Sequence, residues 1–228
     1  ARMQQIAREM NFSETTFLLS DEIRDGGYDV RIFTPGAEVP FAGHPTLGTA
    51  YILREKLIGT PLERVVLNLE VGPIPVSFDD GGDGRTVCWM EQIEPRFGQC
   101  FAAKDIAGIL GLSPDEIDDR FPSEEIPTGL PHLIVPLRSL ESLKRSRIDR
   151  DAYFAFVRKS WAKPILIFCP EPHERGNDLG VRMFADYYGV PEDPATGSGN
   201  GCLAAYLVRH RYWGRDRIDV RCEQGYEI

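Results

Sequence analysis

The sequence predicts an α+β protein built as two similar halves. Three observations lead there. Short strand-like runs follow one another before a helix arrives, an order that favours α+β over a doubly wound parallel sheet. One segment recurs about 150 residues further on, since RIFTPGAEVP from Arg31 and RMFADYYGVP from Arg182 share Arg, Phe, Val and Pro at identical offsets. Finally, 228 residues with 42% hydrophobic content are enough for one large core or two small ones.

The elements can be justified in chain order. Met3, Ile6, Ala7 and Met10 recur at helical spacing, so 2–10 reads as an amphipathic helix that Asn11 can end. TTFLL and YDVRIF read as strands with Gly26-Gly27 as the turn between them. After FAGHP, the residues Leu47, Ala50, Tyr51, Leu53 and Leu57 mark a helix with Pro45 in its first turn. RVVLNLEV, IPVSF and TVCWME are strands, the last two joined by the turn-rich DDGGDG. Helices are predicted near 103–110 and 114–120, the second with Ser113 as N-cap and Pro114 at its first position. HLIVPL, PILIFC and LGVRMF read as strands, and 151–159 and 198–209 as helices. Each copy of the repeat leads through a glycine-containing turn into a helix with an Ala-Tyr pair, Ala50-Tyr51 and Ala205-Tyr206. The halves are drawn as 1–100 and 101–228, divided at EPRFGQC, and a ligand is expected in the cleft between them.

Composition excludes some partners. A net charge of −9 argues against a nucleic-acid surface, which needs clustered Lys and Arg. The apolar runs are too short to cross a bilayer and no signal peptide opens the chain, which points to no membrane and a cytoplasmic location. The chain opens inside a helix, so its natural start is expected further upstream. Cys88, Cys100, Cys169, Cys202 and Cys222 are widely spaced, as are the four histidines, so no metal site is expected. The thiols read as reduced and mostly buried.

Six side chains are weighed as candidates for chemistry. Glu14 in NFSETTF is either a solvated loop carboxylate or a general base whose pKa is raised by Phe12 and Phe17. His44 in FAGHPTLG is either a turn residue or a proton carrier, and it occupies the place in the first copy that ATGSG holds in the second. In PEDPATGSGNG, Glu192 and Asp193 either complement a helix dipole or orient His44 or a substrate amine. Thr196 and Ser198 are either caps, or Ser198 and the free N–H groups beyond it hold an anion. GSGNG is not a nucleotide loop, because Cys202 stands where the third glycine of a dinucleotide fingerprint belongs and no P-loop lysine follows.

Taken together, MQQIAREMNFSETTFLL, RIFTPGAEVPFAGHPTLGTAYIL and RMFADYYGVPEDPATGSGNGCLAAYLV resemble the PhzF family of phenazine-biosynthesis-like isomerases, with GLPHLIVPL and QGYEI as weaker matches. The resemblance implies a diaminopimelate-epimerase-like fold: two pseudo-symmetric lobes, each a curled, mostly antiparallel sheet around a central helix. It implies Glu14 as catalytic acid/base, completed by His44, Asp193 and Ser198, with the substrate carboxylate held around Gly43, Gly197 and Gly199. It further implies a small carboxylated substrate such as trans-2,3-dihydro-3-hydroxyanthranilate, no cofactor, and a homodimer. Epimerases of that fold use one cysteine from each half, whereas the matching turns here hold Gly43-His44 and Gly197-Ser198, and Cys202 is expected to point into the core. Members usually begin a strand and loop earlier, with a G-N-P segment, and continue past QGYEI with a G-R-P-S-like stretch. GSGNG stands here in place of the commoner GSAAG.

Overall fold

A computed structural model describes residues 1–81 and 84–228. The chain divides into two compact units, Ala1–Ile93 and Glu94–Ile228. In the first, helix α1 (Arg2–Met10) leads into strands β1 (Thr15–Leu18), β2 (Tyr28–Phe33) and β3 (Glu38–Val39), helix α2 (Gly43–Ile52), and strands β4 (Arg64–Leu69), β5 (Gly72–Asp80) and β6 (Thr86–Met90). The second unit runs β7 (Cys100–Phe101), α3 (Ala103–Ile106), β8 (Ser123–Pro127), β9 (Pro131–Pro136), α4 (Leu140–Arg145), α5 (Arg150–Val157), β10 (Ile165–Cys169), β11 (Leu179–Ala185), β12 (Val190–Asp193), α6 (Gly197–Arg209) and β13 (Cys222–Gln224).

The first sheet has the order β1-β2-β4-β5-β6, with β3 also on β2. Its inner face is set by strict alternation: Val30 and Ile32, Val65 and Leu67, and Ile74 and Val76 are all buried. Helix α1 ends at Asn11, whose left-handed φ of 53° sends its N–H back to Ala7 O. Only Ala7 of that helix is buried. Helix α2 continues as a π-helix, Leu53–Ile58, stopped by Gly59 at φ 67°. Ala50 and Leu53 are buried, while Tyr51 and Leu57 are exposed. The turn read at DDGGDG lies partly outside the described residues; Asp79 and Asp80 are still strand.

In the second unit the order is β12-β11-β10-β9-β8-β7, with β13 also on β11. Strands β9 and β10 pair in parallel and are buried on both faces, which explains the unbroken apolar runs LIV and ILIF. Leu133, Val135, Ile165 and Ile167 join one core cluster with Ile106, Leu110, Tyr153 and Val157. Ile134, Leu166 and Phe168 join a second with Cys202, Leu203, Tyr206 and Leu207 of α6. The helix expected at 114–120 is only a three-residue 3₁₀ turn, Pro114–Glu116, closed by a Ser113–Glu116 capping box. Helix α4, capped by Ser139, carries too short an apolar pattern to be legible in sequence. The very short strands β3, β7, β12 and β13 went unread for the same reason.

The repeat extends well beyond the four matching letters. Strand β2 has antiparallel β1 along one edge; along the other it has antiparallel β3 at its C-terminal end and parallel β4 at its N-terminal end. Strand β11 has antiparallel β10, antiparallel β12 and parallel β13 in the same places. Each unit therefore contains strand, central strand, short hairpin strand, helix, and a parallel return. The matching residues keep their work as well. Arg31 forks onto Glu38 and lies 5.1 Å over Phe33; Arg182 forks onto Glu192 and lies 4.9 Å over Phe184. The Ala-Tyr pairs are not equivalent, since Tyr206 is buried and Tyr51 is not.

Candidate active site

Glu14 stands just before β1, whose pairing to β2 fixes which way its side chains face. Alternation puts Glu14, Thr16 and Leu18 on one side, where all three line a cavity of about 600 Å³. Thr49 of α2 donates a hydrogen bond to Thr16 (2.9 Å), tying strand to helix beneath the carboxylate. His44 is the second residue of α2, and its Nε2 lies 3.3 Å from Glu14 Oε2. The imidazole is 62% exposed and the carboxylate only 16%. The contact is not aligned as a hydrogen bond, and among the described residues Glu14 Oε2 is buried without one. A carboxylate oxygen in that state keeps acceptor capacity that no donor uses, which is what a group that takes a proton needs.

The apolar wall around Glu14 differs from the expected one. Phe12 is 60% exposed, and Phe17 points to the other face of β1, edge-on to Phe33 at 5.6 Å. Pro45, Ile52, Leu53 and Leu57, from α2 and its π-helical continuation, make the wall instead. Helix and cavity come from one device, because the π turn swings Leu53, Lys56 and Leu57 towards β1.

The second unit holds the other predicted residues around the start of α6. Asp193 ends β12, and its Oδ2 accepts a 2.5 Å hydrogen bond from Thr196 Oγ1. Gln224 of β13 then ties the loop together. Its amide nitrogen donates to Asp193 O (2.7 Å) and Thr196 Oγ1 (2.9 Å), and its oxygen accepts from Asn200 Nδ2 (3.2 Å). Thr196 therefore braces the loop and does not cap the helix with its side chain. The QGYEI match begins at Gln224 but gives it no role; the parallel return of β13 brings it there. Ser198 and Gly199 are buried in the first turn, where backbone N–H groups have no intrahelical partner. A Cβ on Gly199 would sit 2.8 Å from Leu166 Cδ1 and 3.4 Å from His132 Cδ2, whereas one on Gly197 would meet nothing within 4 Å. Gly43 is buried beside His44 at the matching turn of α2.

Two readings of this stretch are corrected. Glu192 is committed to Arg182, so it is a structural partner within its own unit. The cysteines are not mostly buried: Cys169 and Cys202 are, Cys88 and Cys222 are half-buried, and Cys100 is exposed. Burial still pushes all five thiols above their usual pKa, Cys169 and Cys222 to about 11. None is an activated thiolate. Cys202 points into the core as expected, 3.4 Å from Thr128 Oγ1 and 3.6 Å from His132 Nδ1. His132 is itself fully buried, and burial lowers its pKa to about 4. Its Nδ1–H donates to Leu130 O (2.9 Å). Among the described residues no group of three or more His, Cys, Asp or Glu side chains could hold a metal ion, and no helix is long and apolar enough to cross a membrane.

Comparison with known proteins agrees with this architecture. The sequence profile of the phenazine biosynthesis-like protein family matches residues 1–228. The trans-2,3-dihydro-3-hydroxyanthranilate isomerase of Pseudomonas aeruginosa is 38% identical, over all of this chain and 76% of its own length. Several further curated relatives carry the name isomerase. Among solved structures, a PhzF-family protein of Bacillus anthracis superposes with a TM-score of 0.81 at 30% identity, over 99% of this chain and 76% of that one. A probable proline racemase of Agrobacterium radiobacter, only 11% identical, shares the fold with a TM-score of 0.62 over 96% of this chain and 68% of its own. Duplicated sheet-and-helix units, a match along the whole chain and a partly buried glutamate in the S-E-T motif fall together: this chain belongs to the PhzF family of phenazine-biosynthesis-like isomerases.

Proposed function

We propose that the protein is a cofactor-independent isomerase that moves a proton on a small cyclic, carboxylated substrate of the trans-2,3-dihydro-3-hydroxyanthranilate type. The observation that carries this is Glu14: a mostly buried carboxylate that lines a cavity, beside an imidazole, with one oxygen that accepts no aligned hydrogen bond. In this reading Glu14 takes a proton from a ring carbon, and the C–H electrons enter the conjugated system. Glu14 then returns the proton to a different ring carbon, so the enzyme ends unchanged. His44 faces the carboxylate and supports its charge during the step. Within the second unit, Ser198 and the N–H groups at the start of α6 are suited to hold a carboxylate, and Asp193, accepting from Thr196 Oγ1, braces that turn. The 38% identity to a named isomerase of this substrate supports the class of reaction. His44 and Ser198, standing where a two-cysteine racemase carries its thiols, favour it over that chemistry.

The test is NMR in D2O with trans-2,3-dihydro-3-hydroxyanthranilate, comparing the wild type with E14Q. Product carrying deuterium in the wild type, and none in E14Q, is expected. Turnover that survives E14Q would remove Glu14 from the mechanism. Binding without exchange in either protein would remove the chemistry for this substrate.

A further inference from the structure

One stretch of this acidic chain is strongly basic. From Arg209 to Arg221, RHRYWGRDRIDVR carries five arginines against two aspartates. Arg209 is occupied, 3.6 Å from Glu124 and 4.0 Å over the Phe97 ring. Arg215 and Arg217 are exposed and, among the described residues, hold no side-chain hydrogen bond or ion pair. Both line a cavity of about 190 Å³, together with Trp213, Ile218, Asp178 and Asp219.

The cavity wall is anchored at both ends. Tyr212 packs its ring 4.7 Å from Phe121 and 5.4 Å from Phe168, and its N–H donates to Leu207 O. Arg211 and Gly214, both in left-handed conformations, turn the chain so that Trp213 stands out edge-on to Tyr212. At the far end Asp178 and Arg221 grip each other: Arg221 N–H donates to Asp178 Oδ2 (2.7 Å), and Asp178 N–H donates to Arg221 O (2.8 Å).

We propose that this cavity binds a small planar carboxylate whose ring carries an amino or hydroxyl group. Guanidinium forks match a carboxylate in two-point geometry and keep their charge at any working pH. The exposed Trp213 ring and Ile218 offer a flat apolar wall for the ligand's ring. The two aspartates accept hydrogen bonds from an amine or hydroxyl, and they disfavour a phosphate dianion more than a single carboxylate. The volume suits a ligand about the size of one aromatic side chain. The cavity shares no residue with Glu14, His44, Asp193 or Ser198, so this site stands or falls apart from the proposed reaction.

The experiment is a titration of the intact chain with 2-aminobenzoate. It follows the indole N–H signal of Trp213, assigned with W213F. A saturable shift with a dissociation constant of about 1 mM or tighter is expected. R215Q and R217Q, exposed substitutions, should each weaken it about tenfold or more, and E14Q should leave it unchanged. No saturation, full affinity in both arginine variants, or loss of the shift in E14Q would each overturn the proposal. Inorganic phosphate, at matched ionic strength, should shift the signal only weakly. Saturation by phosphate as tight as by 2-aminobenzoate would reduce the cavity to a general anion site and overturn the ring-specific assignment.

Discussion

Glu14 and Gly199 show how far a single residue's chemistry can be argued. Replacing Glu14 by Gln keeps the shape of the side chain and removes its basicity, so turnover should fall about 10²–10⁴-fold. Binding of the same ligand, followed by calorimetry, should stay within a few-fold. Equal losses in binding and turnover would mean a structural role. Gly199 tests the packing under the start of α6. Alanine usually favours a helix over glycine, but here its Cβ would be crowded by Leu166, Thr196 and His132. G199A should therefore cost about 1–2 kcal/mol in urea unfolding, whereas G197A, with open space, should be neutral or better. A G199A as stable as the wild type would show that the turn relaxes freely. The sequence flagged both glycines alike, since spacing says nothing about what a missing Cβ would have met.

Between elements, burial decides what a shared motif is worth. Arg31 and Arg182 sit in matching strands with matching partners, yet Arg31 is half-exposed and Arg182 is buried. Arg182 also donates to Leu143 O (2.8 Å), Lys144 O (3.2 Å) and Ser146 O (2.9 Å), closing the C-terminal end of α4. R182A strands the buried Glu192 and those carbonyls, at a cost of about 3–5 kcal/mol, while R31A should barely move the unfolding midpoint. Equal effects would deny the asymmetry. His132 makes the second prediction, on the packing of β9 against α6. Its pKa is about 4 in the folded protein and about 6.5 in an unfolded chain. Between those values the unfolded state binds a proton that the native state refuses. Stability should therefore hold above about pH 6.5 and decline towards pH 4, by on the order of 2–3 kcal/mol. H132F should lack that slope between pH 6.5 and 4.5, and a slope of the same size in H132F would assign it elsewhere.

Across the whole molecule, the two units bury their strands differently. Strands β9 and β10 are covered on both faces, while β1 and β6 border the first sheet and are half-covered. Native-state hydrogen exchange should be slowest in β9 and β10 and fastest among strands in β1 and β6. Uniform protection across these strands would contradict that ordering.

Periodicity and punctuation in the sequence determined most of the longer elements, the α+β class and the duplication. Those signals are local, and a chain of alternating or helical spacing carries them whatever it packs against. The S-E-T, F-A-G-H-P and E-D-P-A-T-G-S motifs also picked out Glu14, His44, Asp193 and Ser198. Only the tertiary structure decided that Glu14 meets His44, that Glu192 belongs to Arg182, and that Gln224 braces the Asp193 loop. It alone decided that a π turn, with Pro45 and Ile52 beside it, builds the wall that Phe12 and Phe17 were expected to provide. Each of these depends on which strand returns beside which, and on the face that a register selects. That information lies in long-range pairing, where no window of sequence reaches.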